Sequence, residues 1–209
     1  MIEDSFHHRL NIIPQKKLDK AKMYSTRYHF IETLPKNINF LEAGVLAGDF
    51  AMKVIEVVNP QKSVLIDTYN SIDYFATEYG GKRWESEKDH FDFIRKRFKY
   101  IKNVRIYKDY FENIARHIPL KFDFIYIDAC NDYDSVFLYL ERANELLSPG
   151  GIIGINDYSI YENNTESFNR EESGVVPAVN HYLLKNPNFN VHAFALNDRL
   201  TSDIYIIKK

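Results

Sequence analysis

The sequence predicts an α/β fold: a doubly wound, mostly parallel seven-stranded sheet closed by an antiparallel strand pair at its C-terminal end. Three observations point to it. Between residues 38 and 184, short apolar runs alternate with longer runs of helical spacing, the signature of parallel strands with covering helices. Four of the apolar runs stop at or just before an acid, at Glu42, Asp67, Asp128 and Asp157. The last two runs, Phe189–Ala195 and Asp203–Ile207, are joined only by Leu196–Ser202, a link too short for a parallel crossover, which needs about a dozen residues.

The elements follow in order. Ile38–Glu42 reads as the opening strand and runs into Gly44 and Gly48. From Asp49 to Val58, Phe50, Val54, Ile55 and Val58 repeat on one helical face. Ser63–Asp67 is a second strand, Phe91–Tyr100 a helix with basic outer positions, and Asn103–Tyr107 a third strand. Phe122–Asp128 is a β-branched and aromatic run, the clearest strand of the chain. Ser135–Leu147 has helical spacing, Ser148-Pro149-Gly150-Gly151 reads as a hard stop, and Ile152–Ile155 is the next strand. Gly174–Leu184 is expected to be a helix before the terminal pair. Two stretches stand outside the alternation: residues 1–34, expected as a helical lid or cap, and the polar aromatic insert Tyr69–His90, a second candidate lid. Residues 35–209 form the main domain.

Composition narrows the function. At 209 residues and 45% apolar the chain suits one α/β core, and its single cysteine, Cys130, excludes an internal disulfide and a CxxC zinc site. A formal net charge of -2 gives no bulk electrostatic reason to expect nucleic acid or an acidic membrane as partner. The acidic N-terminus lacks a signal-like start and no apolar stretch is long enough to span a bilayer, so a cytoplasmic location is expected.

In an open parallel sheet ligands bind beyond the carboxyl ends of the strands, where strand order reverses, so the strand-end acids are the candidates. The turn Glu42-Ala43-Gly44-Val45-Leu46-Ala47-Gly48 lets backbone approach a ligand but is neither GxGxxG nor GxxxxGK, which favours a ligand without phosphates. Asp67 follows Glu42 at the spacing of a ribose-binding acid, whose two oxygens suit a vicinal diol. Glu42 and Asp109 have a simpler alternative as helix or turn caps. His90, like His29, His117 and His192, is expected on a solvated helix surface, whereas Trp84 and Arg83 suit either acceptor stacking or loop anchoring.

Taken in order, Glu42-Ala43-Gly44-x-x-x-Gly48, Asp67, Lys108-Asp109-Tyr110, the Asp128 strand end, Ser148-Pro149-Gly150-Gly151 and the terminal pair resemble class I S-adenosylmethionine-dependent methyltransferases, which are Rossmann-like. Tyr126–Tyr133, Gly150–Tyr158 and Gly174–Val179 are similar to the small-molecule and sugar O-methyltransferases within that superfamily. The resemblance implies that Glu42, Gly44 and Gly48 border the methionine part of S-adenosylmethionine. It further implies that Asp67 holds the ribose, that Asp109 and the Tyr110 N–H face the adenine, and that Asp128 borders the cofactor. The metal-dependent members imply a magnesium site at Asp128, Asn156 and Asp157, all hard oxygen donors.

Those relatives place a histidine or lysine base three residues beyond the first acid, where this chain has Asn131. Three explanations stay open. The base comes from elsewhere, with Asp128, Asp132, His181 or the pair His7-His8 as candidates; the acceptor arrives deprotonated or acidified by metal; or catalysis has drifted. The function implied is methyl transfer from S-adenosylmethionine to an oxygen of a small molecule, a sugar or natural-product precursor. The alternatives are an S-adenosylmethionine-binding protein with altered catalysis and a nicotinamide-dependent oxidoreductase. A homo-oligomer stays open.

Overall fold

The computed structural model describes residues 11–71, 84–159, 173–196 and 201–209. Most of the insert Tyr69–His90, with Arg83, lies outside them, as do His7 and His8. Among the described residues one eight-stranded sheet forms the centre, with spatial order β1-β7-β8-β6-β5-β2-β3-β4. Its strands are β1 (Lys22–Tyr24), β2 (Asn39–Ala43), β3 (Lys62–Asp67), β4 (Val104–Lys108), β5 (Phe122–Ile127), β6 (Leu147–Ile155), β7 (Phe189–Leu196) and β8 (Ser202–Lys208). The helices are α1 (Arg27–Ile31), α2 (Asp49–Val58), α3 (Glu87–Arg97), α4 (Phe111–Ala115), α5 (Tyr133–Leu146) and α6 (Val175–Lys185). The sheet is parallel except for β8, which runs antiparallel to both β6 and β7. The fold is the expected Rossmann-like α/β sheet with antiparallel strands at its C-terminal end.

Two details differ from the sequence reading. The sheet has eight strands rather than seven, because the N-terminal segment is not simply helical: Lys22–Tyr24 pairs in parallel with Ala193–Ala195 at the sheet edge. Three residues carry too little period-2 pattern to be seen in a sequence. The second difference is the segment Ser148–Gly151, read as a stop, which lies inside β6; Leu147 pairs with Phe122 ahead of a register shift, and the bulge absorbs the proline and glycines.

Alternation along the strands sorts the core into two layers. In β5, Ile125 and Ile127 face one layer, with Leu41, Ile153 and Leu140, while Phe124 and Tyr126 face the other, with Phe40, Phe50 and Tyr205. In β2 the same rule sends Leu41 and Ala43 to the first layer and Phe40 to the second. Phe30 of α1 closes the second layer by stacking on Tyr205 at 3.6 Å between ring centroids, so α1 is anchored in the core. Gly154 sits between Tyr126 and Tyr205 in register, and a Cβ there would meet both rings at 2.8 Å. Its missing side chain lets the two tyrosines converge. None of the described helices is long and apolar enough to cross a membrane.

Candidate functional site

A cleft of about 940 Å³ opens at the carboxyl ends of the central strands. It lies where strand order reverses, since β2 is flanked by β3 on one side and β5 on the other. Its walls come from the turn after β2, the loop after β3, the starts of the segments after β4 and β5, Asp157 beyond β6, and Arg27 and Tyr28 of α1.

The turn after β2 is shaped from below and pinned from both sides. The Gly44 N–H donates to Ile66 O of β3 at 2.9 Å, and Ala43 O accepts from Asp128 N at 2.8 Å. Gly44 has φ 87°, and a Cβ there would stand 2.0 Å from Asp128 O, so the glycine is required by the neighbouring strand rather than by a ligand. Asp67 Oδ2 accepts from the N–H groups of Val45 and Leu46 at 2.7 and 2.8 Å, and its Oδ1 accepts from Tyr69 N at 2.8 Å. A carboxylate has about four acceptor positions; both on Oδ2 are used by backbone N–H groups, which leaves Oδ1 to face a ligand. From the other side, His90 Nε2 bonds Leu46 O at 2.8 Å, with its ring stacked on Trp84 at 3.7 Å. His90 is buried, not on a solvated helix surface, and burial pushes its pKa down, so it serves as a neutral pin.

Glu42, the last acid of β2 before the turn, borders the cleft and is 2% exposed. Its Oε2 has no hydrogen-bond partner among the described residues. Burial, with the fields of Asp128 and Asp67, holds its carboxyl well above the usual carboxylate range, Arg27 opposing. An uncompensated buried acceptor is costly, and a cationic donor entering the cleft would relieve it.

Arg27 and Asp203 organise the opposite wall. The Arg27 Nη2 donates to Asn156 Oδ1 at 2.7 Å and lies 3.3 Å from Asp203 Oδ1. Asp203, fully buried, accepts on Oδ2 from the hydroxyls of Tyr126 at 2.8 Å and Tyr205 at 3.1 Å. Asn156 Nδ2 donates to Asp128 Oδ1 at 2.7 Å. With a pure donor on one side and a carboxylate on the other, the Asn156 amide has a single satisfying orientation. Asp128 is open to the cleft's solvent, which tempers its shift, but protein enclosure moves its carboxyl upward, with Arg27 opposing and Asp157 and Asp203 reinforcing.

These residues do not fit the expected magnesium site. The Asn156 oxygen that would serve a metal already accepts from a guanidinium, and Asp157 Oδ1 accepts from Thr201 Oγ1 at 2.8 Å. Among the described residues no group of three His, Cys, Asp or Glu side chains is placed to hold a metal ion.

A family profile described as a methyltransferase domain matches residues 41–158, from within β2 to just past β6. The chain belongs to the methyltransferase-domain family. It is a class I S-adenosylmethionine-dependent methyltransferase. Solved structures agree in fold. An O-methyltransferase from Bacillus cereus in complex with SAH superposes with a TM-score of 0.61 at 16% identity, covering 96% of this chain and 84% of that one. The O-methyltransferase TomG from Streptomyces achromogenes, involved in tomaymycin synthesis and solved with SAM, gives 0.59 at 14% identity, covering 96% and 82%. The N-methyltransferase NodS from Bradyrhizobium japonicum WM9, solved with S-adenosyl-L-homocysteine, gives 0.59 at 12%, covering 87% and 85%. No curated protein sequence matches the chain.

In this methyltransferase the cleft gathers Glu42, Gly44, Asp67, Asp109, Tyr110, Asp128 and Asp157 from the sequence-predicted set. Gly48 is not among its walls; it packs beneath, where a Cβ would meet the Phe98 ring at 2.7 Å. Asp109 acts as a cap: its Oδ1 accepts from Tyr110 N at 2.7 Å and Asn113 Nδ2 at 3.0 Å. The Tyr110 N–H expected at an adenine nitrogen is thus already donated. Two candidate bases fall outside the cleft. Asp132 is the N-cap of α5 through Ser135 N at 2.9 Å, and His181 bonds the Tyr133 hydroxyl. Trp84, 5% exposed under the turn, is an anchor rather than a stacking surface. Arg27, Asp203 and His90 escaped the sequence reading as site-shaping residues. The one signal available was Asp203, a lone acid heading the apolar run Ile204–Ile207.

Proposed function

We propose that this methyltransferase moves a methyl group from S-adenosylmethionine to an oxygen of a small molecule. The observation that carries the reading is the Oε2 of buried Glu42 beside the glycine turn, which has no hydrogen-bond partner among the described residues. It suits the ammonium of a methionine moiety and offers nothing to a diphosphate. The acids Asp67, Asp109, Asp128 and Asp157 along the same cleft weigh further against a dinucleotide. When bound, S-adenosylmethionine supplies an electrophilic methyl on a positively charged sulfur, so the chain itself has to hold the acceptor in line and take up its proton.

Positioning of this kind is worth roughly 7–11 kcal/mol. Arg27, Tyr28 and Asn131 border the cleft, so the start of α1 serves as the acceptor-side wall. Asp128 is the candidate base that faces the cleft, since Asp132 and His181 do not. A placed base adds about 10²–10⁴-fold. The oxygen acceptor draws support from the O-methyltransferases among the structural neighbours.

Calorimetry with SAH and with NADH, followed by a methyl-transfer screen over phenols, carboxylic acids and sugars, tests this. SAH binding and a methylated oxygen product support it; NADH binding without SAH binding overturns it. SAH binding with no product across the screen would favour the second reading, a cofactor-binding protein with altered catalysis, which the asparagine at position 131 recommends.

A further inference from the structure

The Arg27 guanidinium lies against Asn156, one of the three residues expected to hold a metal. It reaches the cleft from α1, a short helix capped by Thr26, whose side chain accepts from His29 N at 3.2 Å. Its Nη2 is fixed by Asn156 and by Asp203, and Asp203 is in turn fixed by two tyrosine hydroxyls. Its guanidinium carbon lies 5.9 Å from the ring centroids of both Phe50 and Tyr126, so the cation is braced by two aromatic rings as well. Burial opposes its charge, but the fields of Tyr126, Asp203 and Asp128 outweigh that and hold it protonated.

Two features make this more than a structural ion pair. The side chain is 18% exposed and borders the cleft, and both polar contacts use Nη2 alone. A guanidinium has five N–H donors in a planar fork, so the remainder of the fork makes no hydrogen bond among the described residues. The anchoring contacts also consume the Asn156 oxygen, and a divalent cation at the strand ends would have to share that oxygen with a positive charge.

We propose that Arg27 is the resident cation of the acceptor site: its free fork binds an acidic oxygen of the acceptor, a carboxylate or phenol-type hydroxyl, and makes bound divalent metal unnecessary. The proposal rests on the methyl-transfer reading above. A planar fork pairs best with an anionic oxygen or a pair of oxygens, which favours such acceptors over neutral aliphatic alcohols.

The test is Mn2+ binding, followed by electron paramagnetic resonance and calorimetry on the full chain, with SAH titrated into the same samples. The wild type is expected to bind no Mn2+ at the strand ends, and EDTA is expected to leave its SAH affinity unchanged. In Arg27→Met/Asp203→Asn the charge is removed and its buried partner neutralised. There Asp128, Asn156 and Asp157 lose the competing cation, and Mn2+ affinity should rise at least about tenfold, a gain lost on adding Asp128→Asn. Wild-type Mn2+ binding that Asp128→Asn abolishes would overturn the proposal, as would a folded double variant with no gain. The wild-type arm decides even if the double variant fails to fold. Absence of SAH binding in every sample would instead sink the underlying methyltransferase reading, and with it the role given to the fork.

Discussion

Asp67 Oδ2 lies 2.8 Å from the amide nitrogen of Leu46, a residue held at φ 48°. Left-handed backbone costs a residue with a Cβ about 1–2 kcal/mol, and here it is maintained by Asp67 on the N–H side and His90 on the carbonyl side. The acid at the end of β3 therefore shapes the turn after β2 through its backbone N–H groups. Asp67→Asn points an amide donor at backbone donors. It should lower stability by on the order of 1–3 kcal/mol and weaken SAH binding by about tenfold or more. Calorimetry giving a wild-type Kd would show that the turn survives without the carboxylate.

Gly44 and Gly150 both have positive φ, but their surroundings differ. A Cβ at Gly44 would collide with Asp128 O at 2.0 Å, whereas among the described residues nothing lies within 4 Å of one at Gly150. Gly150→Ala should cost only the backbone strain, about 1 kcal/mol. Gly44→Ala adds a backbone clash and should cost about 3 kcal/mol or more, lowering Tm by roughly 6–12 °C for a chain of this size. Equal melting temperatures for the two variants would refute the close approach of the turn to β5.

The same contrast explains what was legible in the sequence. Strand ends and their acids were readable because a run such as Phe122–Ile127 is long enough to show its type and an acid after it is conspicuous. The seven longer strands and the cleft at their carboxyl ends followed from local pattern. What Asp67 and Asp109 hold was not readable, because an acid that caps a turn and one that grips a ligand look alike in a chain. Arg27 was invisible for another reason. Its partners Asn156 and Asp203 stand 129 and 176 residues away, and the edge strand β1, too short to detect, and the Phe30–Tyr205 stack bring them together.

Glu42 gives a test of cofactor orientation. Burial raises the pKa of its carboxyl, and an arriving ammonium favours the ionised form, so wherever the free carboxyl still carries its proton, binding releases it. SAH affinity should therefore rise with pH until the carboxyl of the free protein is ionised, short of the ligand's own amine titration. In Glu42→Gln that dependence should vanish, and SAH should bind about tenfold or more weakly, the loss of one charge-assisted bond. Adenosine, which lacks the ammonium, should bind both proteins alike. A variant that lost adenosine and SAH in equal proportion would place Glu42 under the nucleoside instead.

Asp203 sets a pH dependence of stability whose sign can be worked out. Burial raises its carboxyl to about 6, with Arg27 and the two tyrosine hydroxyls opposing, against about 3.9 in an unfolded chain. The folded state thus keeps a proton that the unfolded state has released. The contribution is complete below about pH 4 and is lost as pH rises through about 6, on the order of 3 kcal/mol in all; Asp128 and Glu42 are shifted the same way and add to the fall. Asparagine imitates the protonated carboxyl and still accepts from Arg27. Asp203→Asn should therefore match the wild type near pH 4 and equal or exceed it at pH 8. Asp203→Ala strands the guanidinium and both hydroxyls and should lose about 3–5 kcal/mol throughout. Denaturant melts across that range decide the matter: if Asp203→Asn falls with pH as steeply as the wild type, the titrating group lies elsewhere, and if it is the less stable protein at pH 8, the ion pair with Arg27 outweighs the cost of burying the carboxylate.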